Sequence, residues 1–111
     1  MINEQKLDAV LLELGHDDFN RGTAFLREAV FRWDQLPGQA MTKELYPAIA
    51  KNHGSTASRV ERCIRHSIGK AWGRGSQEAQ ERYFGFSVDP DKGTPTNGEY
   101  ISRLARVCVN G

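Results

Sequence analysis

The sequence has no long apolar run, few cysteines and almost no net charge. No apolar stretch approaches the roughly 20 residues that a membrane-spanning helix requires. The segment Met1–Glu4 lacks the basic and apolar regions of a secretory signal, so we expect a cytoplasmic protein. Cys63 and Cys108 lie far apart within helical patterns, which predicts reduced apolar residues rather than a disulfide. The net charge of +1 does not by itself suggest a nucleic-acid partner.

The sequence also lacks the residue clusters that support catalysis or metal binding. The three histidines are widely spaced and neither cysteine lies at ligand spacing from them, so no metal site is predicted. The carboxylate pairs Asp17–Asp18 and Asp89–Asp91 fall in turn-like segments, where caps and solvated turns account for them. No nucleophile–base pair and no phosphate-binding loop stands out. The sequence therefore favours a protein that is not an enzyme and needs no cofactor.

Apolar residues recur at helical spacing through most of the chain, and no segment alternates convincingly with a period of two. A length of 111 residues fits one domain with a modest hydrophobic core. The pattern predicts an all-α domain with helices over about residues 3–14, 21–33, 42–52, 56–74, 77–84 and 97–107. Pro47 implies that the third helix is kinked there or begins its continuous part at or just before Pro47. A loop rich in glycine, proline and aspartate is expected over Ser87–Pro95.

A short helix, a tight turn and a longer helix occupy the middle of the sequence. Gly54 can adopt the positive φ that such a turn often requires, and Ser55 or Thr56 can cap the helix that follows. This spacing is typical of a helix-turn-helix, here over about residues 42–74.

The helix predicted from Thr56 has one apolar face and one charged face. The apolar face carries Ala57, Val60, Cys63, Ile64, Ser67, Ile68 and Ala71, and the opposite face carries Ser58, Arg59, Arg62, Arg65 and His66. Arg59–Arg74 holds five cations against one anion, Glu61. A local cationic surface is what phosphate binding requires, although an ordinary solvated helix face has the same composition. In helix-turn-helix proteins the N-terminal half of the second helix enters the major groove.

The residue types at the start of this helix match the hydrogen-bonding edges of a G·C base pair. Arg59 can donate two bonds to O6 and N7 of guanine, and Glu61 can accept one from the amino group of cytosine. Arg62 can contact a base or neutralise a phosphate. The candidate phosphate contacts are Lys51, Ser58, Arg65 and His66. The alternative for the charged residues is a surface ion-pair cluster, since Glu61 and Arg65 are i,i+4 neighbours.

These segments resemble a known family. Residues 45–51 (LYPAIAK) and 55–68 (STASRVERCIRHSI) are closely similar to the C-terminal effector domains of the sporulation response regulators of endospore-forming bacteria, the stage zero sporulation protein A family. Further matching residues lie at Phe25–Ala29, Ala71–Gly75, Phe84–Gly85 and Pro95–Asn97. The likeness extends from about Leu7 to Leu104.

The resemblance implies a six-helix fold with a central helix-turn-helix and sequence-specific binding to a short G/C-centred box near promoters, often as tandem copies on adjacent boxes. It assigns base contacts to Arg59, Glu61 and Arg62. It also implies that the region after the second helix of the motif contacts a sigma factor of RNA polymerase, with Phe84 and Gly85 as the matching residues. Full-length members carry a phosphorylated receiver domain, which these 111 residues do not include.

Two departures from the family pattern support a rival hypothesis. His53 stands where the family has an aromatic residue, and Asn52 replaces a basic one, so weaker phosphate binding is expected. The rival is a protein-interaction module that binds sigma factor or a full-length paralogue and has little DNA affinity. The near-neutral net charge favours the rival as well, whereas the set Arg59, Glu61 and Arg62 favours DNA.

Overall fold

The computed structural model describes residues 1–16, 20–36, 38–85 and 93–109, and the helices found there lie close to the predicted ranges. They are α1 (Glu4–Glu13), α2 (Arg21–Gln35), α3 (Tyr46–His53), α4 (Ala57–Arg74), α5 (Gln77–Phe84) and α6 (Asn97–Val107). The all-α, six-helix fold is therefore confirmed over these residues. Most of the loop predicted at Ser87–Pro95 lies outside the described residues, as do the pairs Asp17–Asp18 and Asp89–Asp91.

Most of these helices begin at a polar side chain that accepts a hydrogen bond from a free backbone N–H group. The capping residues are Asn3, Asn20, Thr56, Ser76 and Thr96. At α6 the bond is reciprocal, because Thr96 Oγ1 accepts from Glu99 N and Glu99 Oε1 accepts from Thr96 N. Replacing such a cap by alanine typically costs about 1 kcal/mol, so these residues fix where each helix starts.

The start of α3 shows how Pro47 is accommodated. One π-helical turn, Met41–Leu45, precedes it, and Leu45 N donates to Ala40 O five residues back at 3.1 Å. The α-helix then begins at Tyr46, so Pro47 lies in its first turn, where a missing N–H costs no helical bond. The expectation that the continuous helix begins at or just before Pro47 is confirmed.

Helix α2 lies at the centre of the packing. It packs against α4 and α6, while α3 packs on α4 and α5 packs on α6. The predicted apolar face of α4 points into this core, with Val60, Ile64 and Ile68 buried. Full burial of a side chain of this size stabilises the fold by roughly 1.5–3 kcal/mol. Both thiols are free as predicted, Cys108 buried and Cys63 half-buried.

Gly22 brings the backbones of α2 and α4 unusually close together. A Cβ atom at Gly22 would lie 2.5 Å from the carbonyl oxygen of Cys63 and 2.8 Å from Cβ of Ser67. Both atoms belong to α4, and the nearer one is backbone that cannot rotate away. The contact between the two helices therefore requires glycine at this position.

A chain of buried polar side chains crosses the core beside that contact. The Tyr100 hydroxyl and His16 Nε2 share a hydrogen bond of 2.8 Å, and His16 Nδ1 and Ser67 Oγ share one of 3.3 Å. Ser67 Oγ and Thr23 Oγ1 share a third of 3.2 Å. Burial raises the pKa of Tyr100 well above its usual range, so its hydroxyl keeps its proton. These three hydrogen bonds connect α6, His16 just after α1, α4 and α2.

Helix α1 is attached to α2 by an arginine that binds two carboxylates. Arg27 Nε donates to Asp8 Oδ1 at 2.7 Å, and its Nη2 donates to Glu4 Oε1 at 2.6 Å. The hydrogen bond with Asp8, and then that with Glu4, raise the pKa of Arg27 above its ordinary value. The two ends of the chain also meet: Asn3 N donates to Cys108 O at 2.7 Å, which joins the start of α1 to the end of α6.

The glycines of α2 and α4 offer a matched test of the helix contact. We expect G22A to lower the free energy of unfolding by about 1–3 kcal/mol, because the new methyl group meets the α4 backbone. G69A should raise it by about 0.5–1 kcal/mol, because Gly69 lies inside α4 with nothing within 4 Å of the added atom. Urea denaturation followed by circular dichroism measures both. Equal stability of the two variants would contradict the close approach of α2 and α4.

The buried polar chain is tested by Y100F, which keeps the ring and removes the hydroxyl. We expect a loss of about 1–3 kcal/mol, because His16 Nε2 loses its bond to Tyr100 inside the core. Y83F is the control: its hydroxyl donates to Glu13 Oε2 at the surface, where water can replace the lost bond. The measurement is the denaturant concentration at the midpoint of unfolding. It is compared between variants whose free energy of unfolding depends on denaturant with the same slope. If Y83F lost as much stability as Y100F, the buried bond would contribute no more to the free energy of unfolding than the surface bond.

Candidate nucleic-acid interface

The segment between α3 and α4 is a tight turn of the predicted kind. Gly54 has φ of 59°, in the left-handed region, and its N–H group bonds to Ala50 O. Ser55 N also donates to Ala50 O, at 2.9 Å, and Thr56 then caps α4 by accepting from Arg59 N at 3.2 Å. The turn therefore leads within three residues from the last turn of one helix to the first turn of the next, as a helix-turn-helix requires.

The structure places the predicted contact residues of α4 on its solvent-facing side. Ser58, Arg59, Arg62, Arg65 and His66 are all exposed. The side chains of Arg59 and Arg62 form no hydrogen bond or ion pair with any residue that the structure describes. Lys51 is likewise exposed, near the end of α3. Both helices of the motif thus carry cations to the surface.

Glu61 and Arg65 form the ion pair that their spacing allows. Arg65 Nη1 donates to Glu61 Oε1 at 2.9 Å, with the Arg65 side chain 65% exposed and that of Glu61 34% exposed. An exposed pair of this type contributes only about 0.3–0.5 kcal/mol. A ligand that offers Glu61 a donor, or Arg65 an anion, can therefore replace the pair at little cost. The surface-pair alternative holds for these two residues and does not extend to Arg59 or Arg62.

Asn97 holds the start of α3 and the second turn of α4 together. Its Nδ2 donates to the Tyr46 hydroxyl and to the backbone oxygen of Glu61, each at 3.1 Å, and the residue is buried. Burial raises the pKa of Tyr46, against the opposing effect of the hydrogen bond from Asn97. Asn97 is the first residue of α6, and the preceding Thr96 caps the helix. Its position in the family-like stretch Pro95–Asn97 was the only sequence signal of this role.

Glu28 of α2 holds the other end of α3. Its Oε1 accepts from His53 Nε2 at 2.7 Å, and its Oε2 accepts from Arg32 Nε at 2.8 Å and from Asn52 Nδ2 at 3.4 Å. Burial alone would raise the pKa of Glu28, but the hydrogen bonds from His53 and Arg32 outweigh it and keep that pKa below its ordinary value. The two residues that depart from the family pattern, Asn52 and His53, therefore both bond to one carboxylate. Sequence reasoning did not identify Glu28.

Phe84 and Gly85, the residues associated with a sigma-factor contact, differ in accessibility. The Phe84 ring is only 1% exposed and packs edge-to-face on Trp72 at 5.2 Å between centroids. Gly85 is exposed. Packing in the core thus accounts for Phe84, and the contact with sigma factor stays a prediction.

Within the described ranges, no three side chains of the types His, Cys, Asp and Glu come close enough together to hold a metal ion. None of the helices found there is both long enough and apolar enough to span a bilayer.

Comparison with known families agrees with this geometry. Residues 7–107, nearly the whole chain, match the model of the sporulation initiation factor Spo0A C-terminal family. The chain belongs to the Spo0A C-terminal family. The match includes all of α3, the turn and α4, and the resemblance noted in the sequence is confirmed. As a Spo0A C-terminal domain, the chain is a DNA-binding effector domain of the response-regulator type.

The role of Asn97 is tested by N97A, which removes both bonds of its amide group. We expect a loss of about 1–3 kcal/mol in the free energy of unfolding, because the partners are buried. S102A on the same helix is the control, since Ser102 Oγ donates only to carbonyl groups of its own α6. Thermal and urea unfolding measure both variants. A loss in N97A no larger than that in S102A would mean that Asn97 does not connect α3 and α4.

Proposed function

We propose that this Spo0A C-terminal domain binds a short G/C-centred DNA box sequence-specifically, with the N-terminal half of α4 in the major groove. One observation carries the proposal. Arg59 and Arg62 project from the first turns of α4 without a side-chain partner in the described residues, directly after the turn of a helix-turn-helix. In such motifs this part of the second helix contacts base edges.

The chemistry of each residue supports a distinct role in that groove. Arg59 donates two bonds to O6 and N7 of a guanine, and Glu61 accepts from the amino group of a cytosine. Arg62 lies three residues after Arg59, on the same side of the helix, and contacts the next base or its phosphate. Glu61 can turn to the base because its exposed pair with Arg65 is weak.

The remaining exposed polar groups around the motif act on the DNA backbone. Ser58 lies at the start of α4, where free backbone N–H groups also favour a phosphate. Lys51 of α3 and Arg65 and His66 of α4 supply further contacts on either side. These contacts set affinity and its dependence on salt, while Arg59, Glu61 and Arg62 set the preferred sequence.

The domain acts by binding and catalyses no reaction of its own. Tandem copies on adjacent boxes and a contact with RNA polymerase sigma factor beyond α4 belong to the same proposal, since the family resemblance implies both. The rival is a protein-interaction module with little DNA affinity. A DNA-binding experiment decides between them.

The experiment is fluorescence anisotropy with a labelled duplex that carries the G/C-centred box, compared with a scrambled duplex of equal composition, over a salt series. We expect the box to be preferred by about a hundredfold or more, with affinity that falls as salt rises. Equal and weak binding to both duplexes would overturn the proposal in favour of a protein partner, and sigma factor would be the first to test.

Two variants separate base contact from phosphate contact. R59A should cost about 1–3 kcal/mol of box affinity and relax the preference at one guanine, whereas K51A should weaken both duplexes alike and reduce the salt slope by about one. R106A is the charge-matched control, because Arg106 is exposed in the last turn of α6. A uniform loss of affinity in R59A, for box and scrambled duplex alike, would make Arg59 a phosphate contact.

A further inference from the structure

Two side chains of α2 hold the ring of His53 from different directions. Glu28 Oε1 accepts the hydrogen bond from Nε2 at 2.7 Å. The Phe25 ring packs edge-to-face on the imidazole, with centroids 5.1 Å apart and planes at 76°. Phe25 is fixed in the core and is only 1% exposed, while the Glu28 carboxylate is braced by Arg32 at 2.8 Å. The imidazole therefore has a defined position, although its side chain is 39% exposed.

His53 is the residue at which α3 ends. Together with the Asn97 bond to Tyr46 at the start of the helix, the Glu28 bond gives α3 one directional attachment at each end. The apolar contacts between them, made by Ile49 and Ala50, tolerate small rotations and shifts because they have no preferred direction. The polar attachments at the two ends are what restrict those movements.

The position of α3 is transmitted directly to α4. Only Gly54–Thr56 separates His53 from the first residue of α4, and Ser55 N donates back to Ala50 O inside α3. A displacement of the α3 end therefore displaces the start of α4, where Ser58 and Arg59 lie. Hydrogen bonds to base edges need side chains held within about 0.5 Å of the productive geometry, so a small displacement weakens them.

We propose that Glu28 and His53 form a positioning pair, which sets where the start of α4 lies in the major groove and so controls base discrimination without touching DNA. This inference rests on the proposed function of α4. It assigns to His53, one of the two residues that depart from the family pattern, a bond to the protein in place of a bond to phosphate.

The charge of Glu28 allows a clear test, because long-range electrostatics and positioning predict different results for E28Q. If only long-range electrostatics mattered, removing a negative charge beside a DNA-binding surface would raise affinity for every duplex. If Glu28 positions the motif, E28Q lowers the ratio of box affinity to scrambled affinity by about threefold to tenfold, because its amide cannot accept from both His53 and Arg32 as the carboxylate does. E78Q is the matched control, since Glu78 pairs with Arg82 within α5.

Two substitutions at His53 distinguish the contribution of its ring from that of its hydrogen-bond donor. H53F keeps an aromatic ring against Phe25 and removes the bond to Glu28, so the affinity ratio falls as in E28Q. H53Y keeps a hydroxyl donor at the end of the ring and retains the ratio to within about twofold. The double variant E28Q/H53F loses no more than either single one, because both remove the same bond. Circular dichroism melting shows that each variant is folded at the assay temperature.

The outcomes distinguish failure of the proposed function from failure of the positioning pair alone. If the unmodified protein shows no box preference, the proposed function fails and this inference fails with it. If the unmodified protein prefers the box and E28Q keeps or raises the affinity ratio, the positioning pair alone is overturned. A lower salt slope in H53F with an unchanged affinity ratio would make His53 a phosphate contact, which also overturns it.

Discussion

Helix α4 can present a charged face to a partner only because its other face is packed tightly on α2, where Gly22 brings the two backbones together. An added Cβ there would lie 2.5 Å from the Cys63 carbonyl oxygen, so even one methyl group would push α4 outward. The hydrophobic contacts of Val60, Ile64 and Ile68 stabilise this packing. Because the turn and α3 are both anchored on α2 and α4, the orientation of the whole motif depends on this one contact between helices.

Hydrogen bonds between the helices then fix how the packed helices are positioned relative to one another. Apolar burial supplies most of the favourable free energy but has no direction, whereas a buried hydrogen bond is lost when its partners shift by about 1 Å. The Tyr100–His16 bond and the bonds of Asn97 each join elements that are distant in the sequence. Asn97 connects both helices of the motif to α6, and Glu28 connects the end of α3 to α2. The core thus fixes the motif in three dimensions before any DNA is present.

Local rules explain what could be predicted from the sequence. Helical periodicity and side-chain caps such as Thr56 and Thr96 act over three or four residues, so the helix ends and the exposed position of Arg59 follow from them. Gly22 looked like any residue near a helix start, and nothing local indicated that it faces Cys63. The bonds of Glu28 to His53 and of Asn97 to Tyr46 join residues 25 and 51 positions apart, and such pairings depend on the tertiary fold. The base contacts proposed for Arg59 and Arg62 depend in addition on the DNA.

The first turn of α4 places an arginine at the positive end of the helix dipole. The first turns of α1, α5 and α6 contain acidic residues (Glu4, Glu78 and Glu99), which interact favourably with the positive end of the helix dipole. The first turns of α2, α3 and α4 contain none, and in α4 Arg59 lies there, at a cost of about 0.3–1 kcal/mol. The one carboxylate on this face, Glu61, pairs with Arg65 further along the helix and leaves Arg59 without an anionic partner there. Under the proposed function, a DNA phosphate or a guanine acceptor is the partner that Arg59 lacks in the described residues.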